Sequence, residues 1–337
     1  MGSRPRRSRG AAFGFRIKLA LERSEDVFFS WPPWQDVLFG ELKLSFSSQH
    51  AVIAMPVLNC QNTLAITVRS ILWQTHSDWE LLLIDDGSTD VTLKIARQFG
   101  DSRIQVHSDG ASQGLPARLN QAITLSQGHY FARMDGDDVA YPERLENQLS
   151  FLCDHPEVDL VGTSVLVFGH NGKTIGKRSG PAAHEAICAN PQAGFPLVHP
   201  TFMGRLEWFK EWRYDVRTGG ACDQDLLLRS FSSSRFANLP DILQGYREES
   251  IHPAKILSYR KLFAASLYRY FARKQLLLAA RAVLEQVLKG VIDCSAVYSG
   301  LNHRLLRHRA KTVSQTEQEQ WEAVWQRITS ACASPYA

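Results

Sequence analysis

The sequence predicts an α/β protein: a mostly parallel sheet flanked by helices, followed by a helical C-terminal region. Three observations carry that prediction. Between residues 51 and 153, short apolar runs alternate with segments of helical periodicity in the order β-α-β-α-β-α-β-α, the pattern of parallel strands joined by right-handed crossovers. Two acidic clusters, Asp85-Asp86 and Asp135-Gly136-Asp137-Asp138, each stand at the carboxyl end of an apolar run, the edge at which open α/β sheets bind ligands. From Lys255 to Lys311, twelve Lys or Arg face two acids, Glu285 and Asp293, in sequence that reads as helices.

The composition, 44% hydrophobic and 21% charged over 337 residues, is that of a folded chain with one large domain and a smaller appendage. The expected division is an N-terminal extension over 1–49, an α/β domain over 50–250 and a basic helical region over 251–337. In the extension, Trp31-Pro32-Pro33-Trp34 cannot continue a helix. Arg4, Arg6, Arg7 and Arg9 precede no continuous apolar segment, which argues against a secretory signal. No run of about 18 apolar residues predicts a spanning helix. Six dispersed cysteines, with no C-x-x-C, predict free thiols. The expected location is cytoplasmic, peripheral at the cytoplasmic face of a membrane, because an apolar stripe with a basic remainder suits an anionic surface.

In order, Val52 to Val57 reads as a buried strand, and Thr63 as the cap of a helix bearing Leu64, Val68, Ile71 and Leu72. Glu80 to Ile84 is a second strand; Asp90 caps a helix expected to reach Phe99. Ile104 to His107 is a third strand, and the glycine-containing loop after it opens a helix from Pro116 to Ser126. Tyr130 to Met134 is a fourth strand, with a helix from Pro142 to Cys153 behind it. Val158 to Gly162 and Ser164 to Phe168 run toward a hairpin at Asn171-Gly172. Residues 181 to 200 read as loop, ending at His199, a lone histidine more often structural than a ligand. Asp223 and Asp225 open an apolar helix, where carboxylates serve as caps.

Three carboxylates within four residues repel one another unless a cation sits among them. A hard divalent cation is held by one or two carboxylates together with substrate phosphates, which an Asp-x-Asp at a strand end supplies. An acidic turn is the competing reading of either cluster alone. Two such clusters at strand ends favour a shared phosphate and metal crevice.

These residues also resemble a known family. Pro56-Val57-Leu58-Asn59, Asp85 to Asp90, Gly114-Leu115, Arg133 to Asp138, Pro142-Glu143-Arg144-Leu145 and Asp223-Gln224-Asp225 are similar, in order and spacing, to glycosyltransferase family 2. Its members are inverting, metal-dependent nucleotide-sugar transferases with the Rossmann-like GT-A fold, and the resemblance covers Ala51 to Tyr246. It implies a substrate-binding set of Pro56, Asn59, Asp86, Arg133, Asp135 and Asp225, with Asp86 at the nucleoside and Asp135 near the ribose. It implies Asp137 as the ligand of Mg²⁺ or Mn²⁺ and Asp223 as the catalytic base. Cys222 stands where the family usually has Glu, and Leu58 where a Tyr often stacks on the nucleobase.

The expected reaction moves a hexose from a nucleotide-sugar, expected to be a UDP-sugar, to a saccharide or lipid-linked acceptor in cell-surface polysaccharide synthesis. A nucleotidyltransferase is the alternative enzyme class, but Pro56 to Thr63 lacks the glycine and lysine of a triphosphate loop. A non-catalytic sugar-nucleotide binder is the other alternative, raised by Cys222. No recognised nucleic-acid-binding motif accompanies the basic segments, so no nucleic-acid partner is expected.

Overall fold

The computed structural model describes residues 49–248, 253–272, 275–299 and 310–330. The expected extension lies outside the described residues, Gln49 excepted. The first strands are β1 (Ala51–Val57), β2 (Trp79–Asp85), β3 (Ile104–Ser108) and β4 (Tyr130–Arg133). Between and after them come helices α1 (Leu64–Leu72), α2 (Thr92–Ala96), α3 (Leu115–Leu125) and α4 (Arg144–Asp154). The second half adds β5 (Val139–Ala140), β6 (Leu160–Phe168), β7 (Thr174–Arg178), β8 (Met203–Arg205) and β9 (Phe236–Arg247). Its helices are α5 (His184–Ile187), α6 (Leu206–Trp212), α7 (Cys222–Ser230), α8 (Pro253–Phe271), α9 (Leu276–Tyr298) and α10 (Gln315–Ser330).

These strands form one sheet in the order β3-β2-β1-β4-β8-β6-β9-β5, with β7 paired to β6. The β3 to β4 half is parallel, as the alternation predicts. Beyond β4 the sheet becomes mixed: β8 is antiparallel to both β4 and β6, while β9 is parallel to β6. β1 and β4 are buried throughout, which explains their unbroken apolar runs. Side chains alternate across the sheet into two cores. Ala51, Ile53 and Met55 pack with α1 and α4, whereas Val52 and Ala54 face α3 and α6 to α9.

Several local expectations are corrected. Thr63 precedes α1 but its side chain makes no cap; its hydroxyl donates instead to the Gly136 carbonyl at 3.0 Å. Asp90 does accept the Thr92 amide at 2.8 Å, but α2 ends at Ala96, short of Phe99. The two segments from Val158 to Phe168 are one strand, β6, and the hairpin to β7 turns at Asn171 in the left-handed region (φ 54°). Residues 181 to 200 include the short helix α5. Neither Asp223 nor Asp225 caps α7, because the helix begins before them, after Ala221.

Candidate active site

The parallel register puts the acidic clusters on one edge. Asp85 pairs with Val57 at the end of β1, and Asp135 follows β4, the strand on the other side of β1. Two strand spacings, on the order of 10 Å, separate the two lines of backbone. Pro56 is buried in β1 opposite Ile84, past the last β4 partner at Ala54, so its missing N–H falls where pairing to β4 has ended. Asn59 has left-handed backbone (φ 53°), a conformation that Asn tolerates. Its side-chain oxygen accepts from the Thr89 amide at 2.9 Å and its own amide donates to Ser88 at 3.0 Å, tying the β1 and β2 loops together.

Asp86 is buried and fully engaged. The Gln113 amide donates to it at 2.7 Å, the Gly114 amide at 3.0 Å, the Arg118 guanidinium at 2.9 Å and Ser112 at 3.2 Å. Burial alone pushes its pKa up, but these donors more than offset it and hold the carboxyl below the usual range. Asp86 therefore anchors the loop before α3, and Arg118, which also pairs with Asp109, is a residue that the sequence did not single out.

The Asp-x-Asp turn is held from both sides. A Cβ at Gly136 would lie 2.7 Å from Val57 and 3.2 Å from Cys60 Sγ, which is why glycine stands there. Arg133 forms a bidentate pair with Asp135. Asp138 is buried, accepting from Gln244 Nε2 at 2.6 Å and the Arg247 amide at 2.9 Å. Arg247 Nε donates to the main-chain carbonyl of Asp137 at 2.9 Å. The Asp137 carboxylate is half-buried, with its own backbone amide as a donor and the Arg247 and Arg133 charges nearby. Burial and then the Asp135 charge push its pKa up to about 6, against the pull of Arg247 and Arg133.

Two cavities meet at Asp137. One, of about 780 Å³, is lined by Arg133, Asp135, Asp137, His199 and Asp223. The other, of about 860 Å³, is lined by Leu58, Asn59, Thr63, Asp137 and Trp325. Tyr246, Arg247, Lys255 and Tyr259 border both, and none of these four was legible as a site residue. They come from β9 and the first turns of α8, remote in sequence from the acid clusters.

Asp223 is buried at the cavity wall, with Gln224 Nε2 donating to it at 3.3 Å. Burial raises its pKa, opposed by the Gln224 hydrogen bonds and the Arg133 charge. Asp225, two residues on, points about 200° away around α7. Its carboxylate is taken by Arg229 at 2.7 Å and Arg269 at 3.5 Å, so the structure does not turn both acids into one cavity. Cys222 is fully buried, and desolvation pushes its thiol far up, leaving it neutral. His199, at the cavity wall, bonds Tyr214 at 3.1 Å; burial and then the nearby Arg133 charge hold its pKa well below the usual value.

The donor set fits a hard cation in a specific way. Among the described residues no cluster of three His, Cys, Asp or Glu forms a protein-only cage. The Asp137 carboxylate, its pKa raised by burial and then by the Asp135 charge, would supply one oxygen ligand and leave the remainder to phosphates, as hard cations with phosphorylated substrates require.

A half-parallel sheet with acids at its carboxyl edge and a buried carboxyl across the crevice is the layout of an α/β protein that takes its ligand at the strand ends. The profile described as Glycosyl transferase family 2 matches residues 52–227, and the chain belongs to that family. It is a glycosyltransferase. It is 40% identical over 206 residues to a Bacillus subtilis (strain 168) protein carrying the glycosyltransferase name EpsE, covering 59% of this chain and 73% of that one. With the Escherichia coli O-antigen biosynthesis glycosyltransferase WbnJ it shares 29% identity over 249 residues, 71% of this chain and 96% of the relative. Another E. coli relative, WfgD, is named a UDP-Glc:α-D-GlcNAc-diphosphoundecaprenol β-1,3-glucosyltransferase. The match to it is 31% over 129 residues, 38% of this chain and 50% of the relative. The fold is similar to that of S. aureus TarS 1-349 in complex with UDP-GlcNAc, at 18% identity and a TM-score of 0.52 over 84% of this chain and 81% of that one. It is also similar to Pyrobaculum calidifontis PcManGT in complex with GDP-Man and Mn²⁺, at 15% identity and a TM-score of 0.50, with 83% and 87% covered. Both are GT-A neighbours.

Proposed function

We propose that the chain is an inverting hexosyltransferase that moves a sugar from a UDP-sugar to a lipid-linked saccharide in cell-surface polysaccharide synthesis. The observation that carries this reading is the buried Asp223 carboxyl facing the same cavity as Asp137. WfgD's name, with its UDP-sugar donor and diphospholipid acceptor, and WbnJ's O-antigen assignment support the substrate class. Residues 50–250 form the proposed transferase domain, and the helices after 251 complete the wall of its crevice through Lys255 and Tyr259.

In the proposed reaction the acceptor hydroxyl oxygen attacks the anomeric carbon while the bond from that carbon to the diphosphate oxygen breaks. Asp223 takes the hydroxyl proton, and its burial-raised pKa makes it a stronger base than an exposed carboxylate. Asp86, Asn59 and the buried Pro56 shape the nucleoside side, and the Arg133–Asp135 pair faces the donor. Asp225, held by two arginines, orients α7. Asp137 would hold Mg²⁺ or Mn²⁺, which when bound offsets charge on the departing diphosphate.

A thermal-shift panel of UDP, GDP, dTDP and CDP sugars with and without Mn²⁺ tests the donor, because a ligand of the native state raises its stability. UDP-sugars should stabilise the protein only with the cation, whereas stabilisation by another nucleotide class would correct the donor. Asp223→Asn should keep that stabilisation and lose about 10² to 10⁴ in turnover. Near wild-type turnover in this variant would remove Asp223 as the base.

A further inference from the structure

Helix α9 is turned inside out. The face that packs onto the rest of the chain carries Ala279, Ala282, Gln286, Gly290 and Asp293, all buried. The opposite face carries Leu277, Leu284, Leu288, Val291, Ile292 and Tyr298, each exposed, from 53% at Leu288 to 82% at Tyr298. At about 100° per residue the two sets are centred on opposite sides of the helix. A helix docked on a soluble core keeps its large apolar side chains inside. Here small and polar residues are inside and the large apolar ones form a continuous outer stripe, which marks a surface that something else covers.

We propose that this stripe docks onto an anionic phospholipid bilayer, with α9 lying in the headgroup layer. Charge selects the occupant. Arg281 is exposed within the stripe, while Glu285 is paired with Lys289 at 2.6 Å and Asp293 with Arg260 at 3.0 Å on the inner side. In the sequence, Arg273-Lys274 precede the helix, Arg304, Arg307 and Arg309 follow it, and no acid occurs from 294 to 311. An apolar stripe carrying Arg281, in a stretch of sequence rich in Lys and Arg, complements anionic headgroups. A second copy of the same face would bury the stripe without using the cationic excess around it, and the oligomeric state distinguishes that occupant.

The stripe is coupled to the crevice. Arg260 of α8 donates to Gln286 at 2.8 Å and to Asp293 at 3.0 Å, both on α9. Lys255, Tyr259 and Arg260 on one helix and Asp293 on the other line the 860 Å³ cavity. Docking through α9 therefore holds the crevice close to headgroups, where a diphospholipid-borne saccharide is presented. The inference rests on the proposed lipid-linked acceptor for its purpose, but its test does not.

Flotation of the full chain with phosphatidylcholine vesicles, with and without phosphatidylglycerol, at low ionic strength is the test, alongside the double variant Leu284→Glu/Leu288→Glu. The wild type should float with the anionic vesicles only. The double variant should lose about tenfold or more of the bound fraction, with an unchanged melting temperature and unchanged donor binding. Because both positions are exposed, folding is expected to survive. Wild type that stays unbound, a variant that floats equally well, or a wild-type dimer by light scattering that the variant turns into a monomer would each overturn the proposal. Wild type that binds its donor yet does not float would sink docking alone. Retained flotation without binding of any nucleotide-sugar would sink the transferase reading alone.

Discussion

Asp137 and Asp223 are the same group in one cavity, tuned to different ends by their neighbours. Both are raised by burial, but Asp137 is raised further by Asp135, a repulsion that a cation relieves, whereas Asp223 is restrained by Gln224. His199 shows the reverse effect. Desolvation and the Arg133 charge hold it neutral in the folded state, while the unfolded chain binds its proton below about pH 6.5. The unfolded state then carries more protons, so stability contributed above pH 6.5 is lost as pH falls from there toward the lower folded value. That loss should approach about 1.4 kcal/mol per pH unit, and His199→Gln should remove it. Urea melts between pH 7 and pH 5 measure the difference in slope, and equal slopes would mean that His199 protonates freely in the fold. The acids themselves were legible because short polar clusters interrupt apolar strands. Arg118 and Arg247 were not, since nothing in a helix or strand pattern says which of many arginines turns inward.

Among the elements, α10 depends on one side chain. Trp321 is buried at 1% exposure, its Nε1 donates to the Gly172 carbonyl at 2.7 Å, and its ring lies against Phe168 and Tyr141. Gly245 on β9 makes room for it, since a Cβ there would come within 2.5 Å of the indole. Trp321→Ala should cost about 3–5 kcal/mol, read as a lower denaturation midpoint. A loss below about 1 kcal/mol would show that α10 is held by Trp325 and Ile328 instead. The parallel strands and their helices could be read from periodicity, and Asn171-Gly172 announced its hairpin. β9 could not: Pro240 and Asp241 break its alternation where the β6 register slips between Thr163 and Val165, with both residues exposed. β8, three residues long, is too short to show a period.

At the scale of the whole molecule, the parallel half of the sheet brings the Asp-x-Asp turn, and the mixed half brings β9 and α8 to meet it. Asp138 joins them. Its carboxylate accepts from Gln244 and Arg247 on β9, and its carbonyl accepts from Thr67 on α1 at 2.8 Å. Arg144 adds a second tie, donating to the Arg133 carbonyl at 2.7 Å and the Pro200 carbonyl at 3.0 Å from a site so desolvated that its pKa falls to about 9. Burial, then the Asp137 and Asp135 charges, push the Asp138 pKa well up, opposed by the Arg247 hydrogen bond and the Arg133 charge. Asp138→Ala strands the Gln244 amide and the Arg247 N–H in a buried place, which should cost about 3 kcal/mol. Because the same turn presents Asp137, Mn²⁺-dependent nucleotide-sugar affinity should weaken about tenfold or more in the same variant. Calorimetry and denaturant melts read the two effects separately, with Asp223→Asn as the control that should move neither. A variant that loses stability but keeps its donor affinity would show that Asp137 is positioned by Thr63 and Arg247 alone, and that the junction of the two half-sheets does not govern the site.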